Sequence, residues 1–379
     1  MSNKSVQIIH ELLLRAGIEI NGNNCYDIQI KDQRFYESLL KSAALALGET
    51  YMNAWWECEK LDEFFFRLLR ADLENIVLAD KRFLYSILRD KLRLFFTQFI
   101  NLQSKSRAKQ VGKRHYDLGN DLFQGMLDKR MNYSCAYWKN STTLNEAQEA
   151  KLELICQKLQ LQPGMRVLDI GCGWGGFAKY AAEKYRVNIV GITISAEQKK
   201  FAEANCRDLP IEIRLQDYRD LNEPFDRICS IGMFEHVGHK NYRTYLNTTY
   251  RCLAEGGLFL LHTIGNNIST LLPNEWITKY IFPNGALPSI QQISRHIEGL
   301  FVMEDWHNFG ADYDKTLMAW HQHFNQHWET LKSQYDEQFY RMWNFYLLAS
   351  AGAFRARDIQ VWQIVLSKKG ISGGYTSIR

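Results

Sequence analysis

The chain has 379 residues, 46% of them hydrophobic and 23% charged, which suits one large or two ordinary cores and excludes a largely disordered protein. A formal net charge of +4 is too small for a nucleic-acid binder, whose basic residues concentrate on one face. The eight cysteines, at 25, 58, 135, 156, 172, 206, 229 and 252, form neither CxxC pairs nor a compact framework, so they read as reduced thiols with no structural zinc.

The N-terminal stretch MSNKSVQIIHELLLRAG is interrupted by His10, Glu11 and Arg15, which makes it an amphipathic helix rather than a signal-peptide core. Ile9, Leu12 and Leu13 share a face before Gly17, and apolar-periodic stretches around 34–47 and 60–100 continue a mostly helical region. No apolar run approaches the ~20 residues needed to span a bilayer, so any membrane contact is expected to be peripheral. From Asn101 to Arg114 the chain turns polar and basic, with Lys105, Arg107, Lys109, Lys113 and Arg114 and no acid. A domain boundary is expected here, with a helical N-terminal domain over 1–105, a basic linker at about 101–114 and a catalytic domain over 106–379. The basic run reads either as a solvated linker or as a patch drawn to anionic lipid headgroups, an attraction of roughly 1 kcal/mol per basic residue near such a surface.

After about residue 145, helical stretches alternate with short β-rich runs. Strands are expected at Arg166–Ile170, Asn188–Thr193, Ile211–Leu215, Phe225–Ile231 and Leu258–Thr263, each separated by enough chain for a crossover helix. Near-continuous apolar runs suit parallel strands buried on both faces, so the fold class is α/β and Rossmann-like.

The first of these strands runs into glycines, VLDIGCGWGG from Val167, and then into the helical pattern FAKYAAEKY. Such glycines allow a tight turn and let a ligand approach main-chain N–H groups at a helix start. Gly171, Gly173 and Gly176 also satisfy GxGxxG, which admits a nicotinamide or flavin nucleotide. Asp169 separates the two cofactor classes: a carboxylate at the turn repels a pyrophosphate but suits the sulfonium and ammonium of S-adenosylmethionine. The second strand ends in GITIS without an acid for ribose hydroxyls, so Thr193, Ser195 and Gln198 are the candidates for the ribose or methionine end. Gln216, Asp217 and Tyr218 follow the third strand, where they either meet the adenine amino group or form an ordinary polar turn.

Eight segments carry a family resemblance: HYDLGNDLF from His115, YSCAYW from Tyr133, LDIGCGWGG from Leu168, GITISAEQ from Gly191, MFEHVG from Met233, YIFPNG from Tyr280, EDWHNFGADY from Glu304 and AGAFRARDIQVWQ from Ala351. Along nearly its whole length the chain resembles the cyclopropane-fatty-acyl-phospholipid synthases. The resemblance implies transfer of a methylene, derived from the methyl of S-adenosylmethionine, onto the cis double bond of a phospholipid acyl chain. It also implies that Tyr133 and Ser134 contact the methionine part of the donor, alongside Gly171, Gly173, Thr193, Gln198 and the 216–218 segment. A bicarbonate ion is implied at the reacting centre, on Cys135, Glu235, His262, the backbone of Ile264 and Tyr313. Related mycolic-acid enzymes share the catalytic domain but generally lack an N-terminal domain like this one, so residues 1 to about 100 favour the phospholipid branch. A homodimer, cytoplasmic and peripherally bound to the inner face of the membrane, completes what the resemblance implies.

The chemistry agrees with that inventory. Attack of an alkene on a methyl group leaves a carbocation, and closing the ring requires a base within hydrogen-bond reach of the new carbon. That base must be a poor nucleophile, which favours bicarbonate over a thiolate or imidazole. Aromatic faces can stabilise the cation by roughly 0.5–2 kcal/mol each, with Tyr133, Tyr137, Phe234 and Tyr313 as candidates; packing is the competing reading for Tyr137 and Phe234. Of His321, His323 and His327 only the last two share a helical face, so no metal is expected, and Glu235-His236 with His239 falls short of HExxH. Ser350 stands where some family members carry cysteine and reads as structural. Two other functions stay open: a lipid methyltransferase that leaves a methyl branch, and a non-catalytic binding protein with a decayed catalytic domain.

Overall fold

The computed structural model describes residues 3–71, 73, 101, 103, 119–270 and 273–379. The basic run Lys105–Arg114 and most of the helical stretch expected to residue 100 lie outside the described residues. The chain divides into two compact units, each assembled from three stretches: Met1–Asn101, Leu271–Pro283 and Leu317–Ile359 in the first, Leu102–Thr270, Asn284–Thr316 and Gln360–Arg379 in the second. Two stretches from within 106–379 therefore belong with the N-terminal region.

The first unit shows why. Its N-terminal helices, Asn3–Arg15, Arg34–Lys41, Ala43–Met52 and Leu61–Arg70, are too short to bury their apolar stripes on one another alone. The first ends in a Schellman cap, with Gly17 at φ +69°, its N–H on the Leu14 carbonyl and the Ile18 N–H on that of Leu13, both at 2.9 Å. Later helices, Glu275–Tyr280 and Glu337–Ala356, complete the core. Phe345 meets Phe65 edge-on at 5.2 Å and Trp276 at 4.5 Å, and Trp276 lies directly over Gly48, where any side chain would collide with it.

The second unit is built on a seven-stranded sheet. Numbering a two-residue ribbon in the first unit as β1 (Gln29–Ile30) and β2 (Trp56–Glu57), the sheet strands are β3 (Arg166–Ile170), β4 (Asn188–Thr193), β5 (Ile211–Leu215), β6 (Phe225–Ile231), β7 (Leu253–Asn266), β8 (Val302–Asn308) and β9 (Ile359–Ser367). The first four have the bounds expected from sequence. β7 extends beyond its expected ends, and β8 and β9 were not anticipated. Their order is β5-β4-β3-β6-β7-β9-β8, with β5 to β7 parallel along the sheet and β8 antiparallel to β9. Alternate residues serve two cores: Leu168, Ile170 and Ile192 pack with Phe234 and Tyr245, while Val167, Ile189 and Cys229 pack with Ile155 and Phe177. The chain moves outward from β3 to β5 and then returns to place β6 on the other side of β3. A crevice opens beyond the carboxyl ends of strands at such a reversal.

Candidate functional site

The glycine turn follows β3 into this crevice. The N–H groups of Gly171 and Cys172 both reach the Ile192 carbonyl, at 2.9 and 3.0 Å, tying the turn to β4. That approach needs Gly191, because a Cβ there would lie 2.9 Å from the Cβ of Cys172. Gly173 has φ +54°, and a Cβ on it would meet nothing within 4 Å, so its open side is the face a ligand would cover. Gly175, at φ +84°, caps the helix Gly176–Tyr185, whose first N–H groups have no partner within the helix. Asp169 lies within β3, in register with Gly191 and Cys229, and is only 1% exposed. Burial pushes its carboxyl up to about 7, against the opposing effects of a 3.5 Å hydrogen bond from the Cys229 thiol and the charge of Lys151. The acid expected beside the turn is buried in the strand that leads into it.

Thr193, Ser195 and Gln198 form one local knot. Ser195 caps the helix Ala196–Asn205 by accepting the Gln198 N–H at 3.2 Å, while the Thr193 hydroxyl donates to Gln198 Oε1 at 2.9 Å and accepts the Ser195 N–H. The Gln216 N–H bonds the Thr193 carbonyl at 3.0 Å, and Asp217 accepts both the backbone and the guanidinium of Arg219 at 3.0 Å. Tyr218 turns into the core, edge-on to Tyr245 at 5.0 Å. Sequence reasoning passed over Ile194 and Leu215, apolar side chains 38% and 54% exposed at the ends of β4 and β5. Their signal was an apolar residue where a strand gives way to a polar turn.

Tyr133 packs edge-on against Phe123 at 5.2 Å, and Phe123 meets Trp174 of the glycine turn at 4.9 Å. The Trp174 indole donates to Asn120 Oδ1 at 3.0 Å, so three separate sequence motifs meet at the turn. Behind Ser134 lies a polar network that sequence reasoning missed. Lys151 is fully buried and donates to Asn132 Oδ1 at 3.2 Å and to Ser134 Oγ at 3.1 Å, and the Asn132 amide donates to Asp128 Oδ2 at 2.8 Å. The available signal was a lysine on the buried stripe of the helix Leu144–Lys158, between Ala147 and Ile155.

The ends of β6 and β7 carry the other half of the crevice. Glu235, in a short 3-10 turn after β6, is buried; its Oε1 accepts the Ile264 N–H of β7 at 2.7 Å and its Oε2 makes no hydrogen bond. Burial pushes the carboxyl up to about 7, only partly opposed by the Ile264 N–H. His262 is buried on β7, and burial, together with the positive charge of Lys151 and Lys158, drives its pKa far below the usual imidazole value. The Gln363 side-chain amide stands 3.4 Å from His262 Nδ1 and is the polar group that meets this ring nitrogen. His262 meets Phe309 at 5.6 Å, and the chain then turns through Gly310 into the helix Ala311–Leu331, whose first turn bears the buried Tyr313. The segment YSCAYW is pinned to that same turn: the Ala136 N–H and the Trp138 indole both reach Thr316 Oγ1, at 3.1 and 2.9 Å, and the Trp138 N–H reaches Asp312 at 2.8 Å. Cys135 is thereby buried beside Thr316, and burial raises its thiol well above the ordinary value.

Phe234 is wholly buried, stacked on Tyr242 at 4.4 Å, and so packs the core, whereas Tyr137 is half-buried against the rings of His307 and Phe309. Among the described residues no group of three or more His, Cys, Asp or Glu is placed to hold a metal ion. All eight cysteines are free thiols.

The mostly parallel sheet and glycine turn place the chain in the class of S-adenosylmethionine-dependent methyltransferase folds, a likeness shared with coclaurine N-methyltransferase (TM-score 0.69, 22% identity, 86% of this chain and 100% of that one). The chain belongs to the mycolic acid cyclopropane synthetase family, whose model matches residues 103–364. It is 57% identical to the cyclopropane-fatty-acyl-phospholipid synthase of Escherichia coli K12, over 97% of this chain and 94% of that one. Cyclopropane mycolic acid synthase 2 of Mycobacterium leprae is 38% identical over 67% of this chain and 92% of its own. Among solved structures, the mycolic acid cyclopropane synthase CmaA1 complexed with SAH and CTAB superimposes with a TM-score of 0.65 at 35% identity, covering 69% of this chain and 98% of that one.

Proposed function

We propose that this chain is an S-adenosylmethionine-dependent cyclopropane-fatty-acyl-phospholipid synthase. It transfers a methylene, derived from the donor methyl, to the cis double bond of an unsaturated phospholipid acyl chain, leaving S-adenosylhomocysteine and a proton. The observation that carries the reading is the extent of the likeness: 97% of the chain aligns with the phospholipid enzyme, whereas the mycolic-acid relative nearly exhausts its own length on 67% of it. Mass spectrometry of lipids from cells expressing the chain tests it. A gain of one CH2 with loss of the alkene and no new methyl branch is expected; a branch would make the enzyme a lipid methyltransferase instead.

S-adenosylmethionine, when bound, supplies the electrophilic methyl group. Gly171 and Gly173 open main-chain room for it, Tyr133 and Ser134 close over its methionine part, and Ile194 and Leu215 offer apolar faces to its adenine. Asp169, in the strand that leads into the turn, balances the donor's positive charge. Thr193, Ser195, Gln198, Gln216 and Asp217 shape the ribose and adenine end largely through the loop conformations they cap.

On the reacting side, burial keeps Cys135 and His262 uncharged and raises Glu235 to about 7, so that a neighbouring charge decides its form. A buried thiol that stays protonated at Cys135 cannot trap a carbocation, and a neutral His262 keeps one ring N–H to donate. The partnerless Oε2 of Glu235 and this set of donors fit a small oxyanion such as bicarbonate, which when bound would supply a weakly nucleophilic base. Cys135, Glu235, His262, the Ile264 N–H and Tyr313 would hold it, the Ile264 N–H being shared with Glu235 Oε1. With an anion beside it, Glu235 favours its acid form and donates rather than repels. Activity in buffer stripped of carbon dioxide decides the point. Turnover that returns only on adding bicarbonate supports the ion; full turnover without it leaves Glu235 as the base.

The substrate also demands access to a bilayer, and no helix among the described residues is long and apolar enough to cross one. Peripheral attachment at the cytoplasmic face through Lys105–Arg114, in a homodimer, fits that demand. Binding to anionic vesicles should then weaken as salt shortens the screening length from ~10 Å at 0.1 M to ~3 Å at 1 M. Indifference to salt would exclude the electrostatic contribution, and a single sedimenting species of one-chain mass would exclude the dimer.

A further inference from the structure

Lys151 holds no ligand in the chemistry above and enters it only through its charge, yet it is a wholly buried cation within hydrogen-bond reach of a residue assigned to the donor. Placing an ammonium in the interior is costly unless its protons are satisfied. Here they go to two neutral oxygens, Asn132 Oδ1 at 3.2 Å and Ser134 Oγ at 3.1 Å. An ammonium donates and cannot accept, so the direction of every bond in the network follows from it. The Asn132 carbonyl oxygen faces Lys151, which turns its Nδ2 toward Asp128 Oδ2 at 2.8 Å, and Asp128 Oδ1 takes the Asn132 N–H at 2.7 Å. Gln148 Nε2 donates to the Ser134 carbonyl at 2.9 Å and holds the backbone still. Since Ser134 Oγ accepts from Lys151, its own proton must point elsewhere. The nearest heavy atom to a Cβ built on Gly232, at the carboxyl end of β6, is Ser134 Cβ at 3.9 Å, so the residue stands over the crevice.

We infer that Lys151 is a positioning residue for the methyl donor: it fixes the Ser134 hydroxyl as a hydrogen-bond donor aimed at the carboxylate of the methionine moiety. The inference rests on the proposed placement of Tyr133 and Ser134 at that moiety and names the group on the donor that Ser134 reads. It has a titration signature. Burial lowers Lys151 to about 8, opposed by the carboxylates of Asp128 and Asp169, and its charge is also felt at His262. Cys135, Cys229 and His262, which also surround it, keep their neutral forms through this range, and Asp169, at about 7, titrates below it. Once Lys151 loses its proton, the free amine can accept the Ser134 hydroxyl and turn it away from the ligand.

Calorimetric affinity for S-adenosylhomocysteine, measured on the full chain from pH 6.5 to 9.5 in wild type, S134A, K151M, K151R and S134A/K151M, tests this. S134A and K151M should each weaken binding about tenfold at pH 7, the effect of one charge-assisted hydrogen bond, and the double variant should be no worse than the weaker single. Wild-type affinity should fall through about pH 8 more steeply than that of S134A, which shares the titration of the ligand's own amino group, and K151R should lose that extra fall. If S134A weakens binding and K151M does not, or if the two effects add, Lys151 does not act through Ser134 and the inference fails while the donor placement stands. If S134A leaves affinity unchanged, the donor placement fails and takes the inference with it. Should K151M not fold, wild type and S134A decide alone: equal alkaline losses in the two overturn the inference.

Discussion

The two halves of the crevice are made from different materials. At the ends of β3 to β5 the chain offers main-chain turns, two exposed apolar side chains and hydroxyls already engaged in caps. At the ends of β6 and β7 it offers side chains that are buried and titratable, held near or in their neutral forms. On the proposed reading the first half recognises by shape and should tolerate exchange of many side chains, whereas the second works by protonation state and should tolerate almost none. Substitutions therefore ought to separate donor affinity from turnover according to the half they fall in.

The largest separation is expected at Glu235. Loss of one preorganised donor in an oxyanion-type site typically lowers rate 10²–10³-fold, so Glu235→Leu and Tyr313→Phe should reduce kcat on that order while leaving affinity for S-adenosylhomocysteine within a few-fold, whereas Glu235→Gln, which keeps an acceptor for the Ile264 N–H and a donor for the anion, should lose less. Steady-state kinetics paired with calorimetry checks this, and an equal fall in both quantities would erase the distinction between the halves. The same carboxyl links activity to stability. Its folded pKa, about 7, lies above the unfolded value, so it contributes stability that is full below about 4.5 and lost as pH rises through 7. Glu235→Gln should then be more stable than wild type at pH 8 and melt higher there, and show little difference at pH 4.5.

Gly173 probes the other half. A valine there meets a left-handed backbone at φ +54° and projects into the open face of the turn. Backbone strain alone costs about 1–3 kcal/mol, and blocked approach adds to it, so Gly173→Val should weaken donor binding by more than tenfold. Turnover at saturating donor should change less, and unchanged affinity by calorimetry would move the donor away from this turn. A pH series sharpens the contrast. Asp169, at about 7, should make affinity for the cationic donor rise as pH climbs through that value. Turnover with saturating donor, at fixed bicarbonate, should instead fall as Glu235 loses its proton; if it rises, Glu235 works as a carboxylate base.

The sequence was most legible where local rules govern. Four strands have their expected bounds, because parallel strands buried on both faces read as apolar runs, and the glycines mark the turn. The extra strands β8 and β9 escaped notice: EDWHN in β8 mixes charge with aromatics along a sheet edge, and β9 follows directly on a long helix. Domain composition was hidden for a related reason. Periodicity shows that Glu337–Ala356 has an apolar face but not that Phe65 and Trp276 cover it. At the site, residues named through resemblance came with identities but without protonation states, which depend on burial. Lys151 was missed because a single lysine in an amphipathic helix ordinarily faces solvent, and only the tertiary structure supplies Asn132 and Ser134 to receive its protons.

The smallest expected effect tests whether the hydroxyls of the donor half act by contact or by capping. Ser195 was a candidate for the ribose or methionine end, yet its Oγ accepts the Gln198 N–H and is shielded at the start of the helix Ala196–Asn205. A capping serine contributes about 1 kcal/mol, so Ser195→Ala should lower stability by that amount in urea or thermal unfolding. Replacement by aspartate or asparagine, which cap as well, should restore stability. Donor affinity should follow the same order, falling slightly in the alanine variant and recovering in asparagine, because the loop that carries Thr193 and Ile194 is only as well ordered as the helix it enters. A direct ligand contact predicts the opposite pattern: asparagine, with a different shape and reach, would stabilise the helix and still bind the donor poorly. Affinity that tracks stability across the three variants assigns Ser195 to the scaffold, and affinity that departs from it returns Ser195 to the ligand.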